Sequence, residues 1–207
     1  MDYKTEQEKF WAGEFGNEYI ERNKSSKDVI CNMALFGEIM KRTVGVRTAI
    51  EFGSNIGQNI KALKALFPDI KYSAIEINHK AAEILRNDPA LKGTQVYETS
   101  ILGYETKEKY DFVLIKGVLI HINPDELQEV YQKLYDSSSK YICMVEYYNP
   151  TPVEVRYRDN QERLFKRDFC GEFMDKFSDV RLIDYGFRYH RDNNFPQDDL
   201  TWFLMEK

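Results

Sequence analysis

The sequence predicts an α/β chain built on a doubly wound, seven-stranded, mostly parallel sheet that closes on an antiparallel C-terminal strand pair. Three observations carry this prediction. From Val46 onward, short β-rich runs alternate with amphipathic helical stretches, the rhythm of strands joined by crossover helices. The strand runs are almost continuously apolar, as they are when a parallel sheet is covered on both faces. The rhythm breaks at the end, where "VRLIDYGFRYH" and "LTWFLMEK" are joined by the turn-rich "RDNNFPQDD" with no helix between them, so the last pair must run antiparallel.

The 207 residues have the length of one domain. One domain over residues 1–207 is expected, with helices over 1–45 as a lid or cover, a core over 46–207 and a substrate-side insertion over 147–168. The first 45 residues read as two helices. "TEQEKFWAGEFGNEYIERN" spaces Phe10, Trp11, Phe15 and Tyr19 at near-helical intervals, and "KDVICNMALFGEIMKR" carries a broad apolar stripe, with Ser26 or Asp28 as its N-cap. "VRTAIEF" is the first strand, and the helix after it is stopped by Pro68. "IKYSAIEI" is the second strand and "HKAAEILRN" its helix; "TQVYET" and "YDFVLIKGVLI" follow. Pro124 opens a helix with Asp125 and Glu126 at its positive end, and "KYICMVEYY" is the next strand.

The chain is 43% hydrophobic and 30% charged, a globular composition. No run reaches the roughly 18 apolar residues of a spanning helix, and the first residues lack the apolar segment of a secretory signal, so a cytoplasmic setting without membrane contact is expected. Cys31, Cys143 and Cys170 are odd in number and far apart, which suits buried thiols better than disulfides or zinc. A net charge of -5 argues against a broad nucleic-acid surface.

The chemistry concentrates in "AIEFGSNIGQNI". The first strand ends at Glu51-Phe52-Gly53, turns through Ser54-Asn55-Ile56 and enters a helix near Gly57. Glycine is needed where backbone must approach a ligand without a Cβ, and the new helix offers free N–H groups. Glu76 ends the next strand, and an acid about 20 residues beyond such a turn is placed to hold ribose hydroxyls. A pyrophosphate cofactor prefers G-x-G-x-x-G, whereas this turn reads E-x-G-x-N-x-G. The Glu51 carboxylate repels phosphates and favours a ligand with a cationic centre. S-adenosylmethionine fits that description better than NAD.

"AIEFGSNIGQNI", "AIEIN", "YDFVLIKGVLIHI" and the closing strand pair resemble the successive motifs of class I S-adenosylmethionine-dependent methyltransferases over most of the chain. "FWAGEFGNEYIERN", "KGVLIHINPDEL", "EYYNPTPVEVRYR" and "DDLTWFLMEK" resemble, more narrowly, the pseudaminic acid biosynthesis-associated methylases. The resemblance implies a Rossmann-like methyltransferase fold and a substrate from a nonulosonate or related sugar pathway. By position it implies that Glu51, Gly53, Asn55 and Gly57 line the methionine moiety, that Glu76 holds the ribose and that Ile77 packs on the adenine. Ser100 and Ile101 fall where the family often has an acid that reads the adenine amine, so the charge is missing there. Asn55 stands for the usual middle glycine, a mild departure because Asn tolerates positive φ. The resemblance also implies an N-terminal helix over the cofactor, from which Tyr19 and Arg22 would reach its carboxylate; the other reading of the Trp11, Phe15, Tyr19 stripe is plain core.

The strand end "IKGVLIHI" is expected to bring Lys116, Gly117 and His121 to the rim where the methyl emerges. A hydroxyl or ammonium acceptor must lose a proton, and His121 is the candidate general base; the alternative is a packing or capping role before Asn123-Pro124. In the insertion, Tyr147, Tyr148, Asn149 and Tyr157 suit stacking on a sugar, and Arg156 and Arg158 suit a carboxylate or phosphate. The alternative is a solvated loop that merely covers the core. His190 with Asp192, Asp198 and Asp199 matches no metal-ligand spacing, and no metal is expected. Rival functions share these residues: a module that binds S-adenosylmethionine without turnover in glycan biosynthesis, and an RNA or protein methyltransferase docking through the basic insertion. An NAD-dependent sugar oxidoreductase disagrees with both the glycine spacing and the strand-pair ending.

Overall fold

In the computed structural model, residues 3–23, 25–155 and 163–207 are described. The main sheet has seven strands in the order β3-β2-β1-β4-β5-β9-β8. These are β1 Thr48–Phe52, β2 Lys71–Glu76, β3 Gln95–Glu98, β4 Tyr110–Lys116, β5 Ser138–Glu146, β8 Arg181–Arg188 and β9 Leu200–Glu206. The pairs β1 with β2, β2 with β3 and β4 with β5 run parallel, while β9 runs antiparallel to both β5 and β8. The expected sheet, with its antiparallel ending, is the observed one. The chain divides into two compact units, Met1–Glu105 and Thr106–Lys207.

In the first unit, three helices precede β1, not two: α1 Glu6–Ala12, α2 Glu14–Arg22 and α3 Ser26–Met40. The break falls at Gly13, whose extended backbone caps both α1 and α2. Thr5 and Glu8 form a reciprocal capping box at the start of α1. Helix α3 is capped by Ser25, whose side chain accepts from Lys27 N, one residue earlier than expected. Helices α4 Gln58–Leu66 and α5 His79–Asn87 follow β1 and β2. Leu35, Phe36, Ile39, Phe52, Ile60 and Ile75 are among the buried core.

Two glycines report how tightly the helices sit. A Cβ on Gly16 of α2 would lie 1.9 Å from the Trp11 carbonyl oxygen and 2.8 Å from Asn78 Nδ2, whereas one on Gly37 of α3 meets nothing within 4 Å. Gly16→Ala is therefore expected to destabilise by about 1–3 kcal/mol through overpacking against backbone. Gly37→Ala, inside a helix with room, is expected to stabilise by roughly 0.5–1 kcal/mol. Urea unfolding of the two variants checks the pair; equal effects would contradict the packing.

In the second unit, Asn123 caps a short 3₁₀ turn over Pro124–Glu126 that leads into α6 Leu127–Ser137. The insertion after β5 includes a two-stranded antiparallel ribbon, β6 Val153–Glu154 with β7 Phe165–Lys166, before α7 Phe169–Lys176. Leu114, Ile142, Met144, Tyr131, Phe173 and Leu204 are buried here. Between β8 and β9, His190 pairs with Asp199 Oδ1 at 2.8 Å, the polar hairpin turn read from the sequence. All three cysteines are buried free thiols.

Candidate active site

The first unit gathers most of the predicted cofactor residues at the carboxyl ends of β1, β2 and β3. Gly53, Asn55 and Gly57 all have positive φ, at 79°, 46° and 77°. Gly53 N and Ser54 N donate to Ile75 O at 2.9 and 3.0 Å, which ties the turn to the end of β2. Gly57, at the start of α4, would put a Cβ 2.5 Å from Leu91 Cδ1, so it is glycine for its φ and for want of space. Asn55 adopts the left-handed conformation expected of the residue replacing a glycine.

Glu76 ends β2 and is buried. Its Oε2 accepts from Asn55 N at 2.6 Å and its Oε1 from Asn78 N at 2.7 Å. Burial raises its pKa, against the lowering pull of the Asn78, Asn55 and Ile77 N–H groups. Each oxygen thus spends at least one lone pair on a backbone N–H group. Glu51 is also buried, and its Oε1 accepts from Asn59 Nδ2 at 2.5 Å. The Asn55 Oδ1 atom is buried with no hydrogen-bond partner. Ile77 is half-buried and Ile101 buried.

Ser100 is brought to a partner the sequence did not reveal. Its hydroxyl donates to Glu8 Oε1 of α1, 92 residues away in the chain, and accepts from Leu102 N at 3.0 Å. The other Glu8 oxygen takes the Thr5 N–H at 2.8 Å. A carboxylate of α1 thus lies against position 100. The capping-box pattern Thr5-x-x-Glu8 was legible as a helix start; a carboxylate's partner that far along the chain was not.

The N-terminal helices lie on the glycine-rich turn. Ile20 of α2 packs with Ile56 of the turn and Ala81 of α5, and Asn78 Nδ2 donates to Asn17 Oδ1 at 3.0 Å and Trp11 O at 3.2 Å. Phe10, Trp11, Phe15 and Tyr19 are half-buried, an aromatic stripe with Phe10 stacked on Phe15 at 4.1 Å and Trp11 edge-on to Tyr19 at 5.2 Å. The Arg22 guanidinium lies over the Phe15 and Tyr19 rings at 5.1 and 5.8 Å.

The second unit has its own cluster at the carboxyl ends of β4 and β5. After Lys116 the chain turns at Gly117, φ 66°, into a 3₁₀ turn over Leu119–His121. His121 is buried, and its Nδ1 donates to Arg163 O at 2.5 Å, which assigns the proton to Nδ1 of the neutral ring. Desolvation lowers its pKa to about 4, so the ring is uncharged at neutral pH. Tyr147 lies beneath the Lys166 ammonium at 4.9 Å. Tyr148 is exposed, and Asn149 Nδ2 donates to Thr151 O at 2.5 Å within its own turn. Arg156, Tyr157 and Arg158 lie outside the described residues.

Glu146, the last residue of β5, escaped the sequence reading because it sits in "KYICMVEYY" as the plain end of an apolar strand. It is 2% exposed. Its Oε1 accepts from Val118 N and Leu119 N, both at 2.9 Å, so it holds the turn that carries His121. Burial pushes its pKa up to about 7, against three backbone N–H groups and Lys116, which lower it. Among the described residues, no group of three or more His, Cys, Asp or Glu side chains is arranged to hold a metal ion, and no helix is long and apolar enough to cross a membrane.

No family model matches the sequence, and no curated protein matches it. Solved structures do match. An S-adenosylmethionine-dependent methyltransferase from Leishmania major superposes with a TM-score of 0.72 at 14% identity, over 97% of this chain and 81% of that one. The chain has the fold of a methyltransferase. The plantazolicin methyltransferase in complex with S-adenosylhomocysteine gives 0.69 at 11% identity, over 97% and 93% of the two chains. A glycopeptide N-methyltransferase gives 0.65 at 11%, over 86% and 96%. Likeness at these identities is likeness of fold.

Proposed function

We propose that the chain is an S-adenosylmethionine-dependent methyltransferase acting on an oxygen or nitrogen of a small polar metabolite. The observation that carries this reading is Glu76, a buried strand-end carboxylate pinned by Asn55 N and Asn78 N beside a turn with three positive-φ residues. Its remaining lone pairs suit two vicinal ribose hydroxyls. Glu51 and the partnerless Asn55 Oδ1 offer acceptors to an ammonium or sulfonium group and nothing to a phosphate. The donor set therefore fits S-adenosylmethionine and opposes a dinucleotide. When bound, S-adenosylmethionine supplies an electrophilic methyl group.

Within this reading, Gly53 and Gly57 let the backbone approach the methionine end, Ile77 and Ile101 flank the adenine, and Glu8 with Ser100 accepts from its exocyclic amine. Tyr19 and Arg22, on the helices covering the turn, take the cofactor's carboxylate, and residues 1–45 act as its cover. In the second unit Lys116 belongs to the cofactor's methyl end. His121, neutral and with its Nδ1 proton committed to Arg163 O, accepts a hydrogen bond from the methyl acceptor and orients it. Tyr147, Tyr148 and Asn149, with Arg156, Tyr157 and Arg158, form the acceptor-binding insertion. A sugar or nonulosonate-pathway intermediate is the substrate class favoured by the sequence resemblance, and three buried free thiols suit a reducing, cytoplasmic setting.

Calorimetric titration tests the cofactor and the adenine reader together. The wild type is expected to bind S-adenosylhomocysteine and not NAD. It should discriminate against S-inosylhomocysteine, which lacks the amine, and Glu8→Gln should lose that discrimination by about tenfold, the worth of one charge-assisted hydrogen bond. Protein shown free of copurified ligand that binds no S-adenosylhomocysteine sinks the reading; undiminished discrimination in Glu8→Gln sinks the role of Glu8.

A further inference from the structure

Asn78, the residue that caps α5, is committed in three directions at once. Its backbone N donates to Glu76 Oε1 at 2.7 Å, its Oδ1 accepts from Ala81 N at 3.0 Å, and its Nδ2 faces the N-terminal helices. There Nδ2 donates to Asn17 Oδ1 of α2 at 3.0 Å and to Trp11 O at 3.2 Å, with Ala12 O and Gly13 O at 3.4 and 3.5 Å. The orientation of the amide follows from these partners, since one end meets an N–H group and the other meets oxygens. The Trp11, Ala12 and Gly13 carbonyls close α1 at the break before α2, where a helix leaves its last carbonyls without intrahelical partners. Asn78 is buried, and the fit is close, because a Cβ on Gly16 of α2 would lie 2.8 Å from Nδ2. A helix cap asks only for an oxygen, which a serine would supply to α5 as well. The donor end of the amide exceeds that need, and what it holds is the cover.

We infer that Asn78 is a positioning residue that joins closure of the N-terminal helices to the grip of Glu76 on the cofactor, so that the two form and break together. The inference rests on the methyltransferase reading for the identity of the ligand and adds to it how that ligand is retained and released. Lifting α1 and α2 strips the acceptors from a buried donor, so the end of β2 must open to water to satisfy it. Opening it loosens the Asn78 N–H on Glu76 Oε1, and with it the carboxylate that also holds Asn55 N at 2.6 Å. The packing of Ile20 of α2 on Ile56 of the same turn works in the same direction. Conversely, a ligand that fixes Glu76 fixes this strand end, and coupling between two sites is reciprocal, so the ligand holds the helices down by the same factor. The cofactor therefore enters before the Asn78 clasp closes, and its product leaves after the clasp opens. Two other ties of the helices, Gln58 Nε2 to Asn23 O at 2.8 Å and Ser100 to Glu8, involve neither Asn78 nor the Glu76 carboxylate.

The test is amide hydrogen exchange of the full chain, read by mass spectrometry in the wild type and in Asn78→Ser, with and without S-adenosylhomocysteine. Asn78→Ser keeps an oxygen to cap α5 and the backbone N–H on Glu76, and removes the Nδ2 donor. Without ligand, residues 6–22 and the turn over residues 53–57 are expected to exchange about tenfold faster in the variant, with α5 unchanged. With ligand, residues 6–22 of the wild type should slow by about tenfold, and the variant should lose this slowing together with about tenfold in calorimetric affinity. Asn17→Ala removes an acceptor from the far side of the clasp and leaves α5 and Glu76 as they are; it is expected to act in the same direction more weakly, and it carries the test if Asn78→Ser does not fold. Faster exchange confined to residues 6–22, with the turn and the affinity as in the wild type, overturns the inference and leaves Asn78 as a helix cap with a packing contact. Faster exchange that includes α5 reports a general loss of stability and overturns it too. A wild type that binds no S-adenosylhomocysteine fails the methyltransferase reading alone, because the ligand-free comparison of residues 6–22 with residues 53–57 tests the coupling without it.

Discussion

Glu76→Ala is expected to weaken S-adenosylhomocysteine binding by at least about a hundredfold. Two hydrogen bonds from ribose hydroxyls to a carboxylate are worth about 1.5–3 kcal/mol each, and the alanine removes both. It also frees Asn55 N and Asn78 N, which the carboxylate holds at 2.6 and 2.7 Å, so the positive-φ turn loses its brace at the point where the cofactor would lie. Glu76→Gln keeps the shape and one acceptor oxygen but not the charge, and should fall between the alanine variant and the wild type. Calorimetry gives the affinities, and circular dichroism confirms that the variants are folded. Wild-type affinity in a folded Glu76→Ala would remove the ribose role and, with it, the observation on which the proposed function stands.

The second large effect is a pair of opposed pH dependences in the second unit. The folded-state pKa of His121 is lowered from 6.5 to about 4. As pH falls through that window, the unfolded chain binds a proton the folded chain refuses, so stability present above about 6.5 is lost toward 4, by about 3 kcal/mol. The pKa of Glu146 is raised from 4.5 to about 7. As pH rises through that window the folded chain keeps a proton the unfolded chain releases, so stability present below about 4.5 is lost toward 7, again by about 3 kcal/mol. The two trends overlap and largely cancel in the wild type. Glu146→Gln is expected to gain about 3 kcal/mol relative to wild type on going from about pH 4 to pH 8, and His121→Gln to lose a similar amount over the same range. Urea unfolding across that series gives both difference curves. Flat curves would mean that neither group is desolvated as the structure shows.

These two predictions differ in how far the sequence could anticipate them. Glu76 was legible because an acid ending the second strand after a glycine-rich turn follows from strand length and turn chemistry, both local. Asn55 was legible for the same reason, its side chain tolerating the φ that the turn imposes. Glu146 was not, since an acid closing an apolar strand looks like the return to solvent. What buries it is the pairing of β5 with β4, in register Lys116 against Val145, followed by a turn at Gly117 that sets two N–H groups over the carboxylate. Glu8 was hidden in the same way. Its capping box is written in four residues, but its contact with Ser100 depends on where α1 settles after the break at Gly13.

By itself, then, the sequence determined what periodicity and turn chemistry encode: the alternating strands and helices, the antiparallel ending, the glycine-rich turn and the acid that ends the second strand. The tertiary structure decided what depends on distant elements meeting. It separated α1 from α2 at Gly13, buried both His121 and Glu146, and set Glu8 of the N-terminal helix against Ser100. The physical reason is one of range. Backbone conformation is set by neighbours a few residues apart, while burial, hydrogen-bond partnership and the pKa values they shift are set by whichever parts of the chain the fold brings into contact.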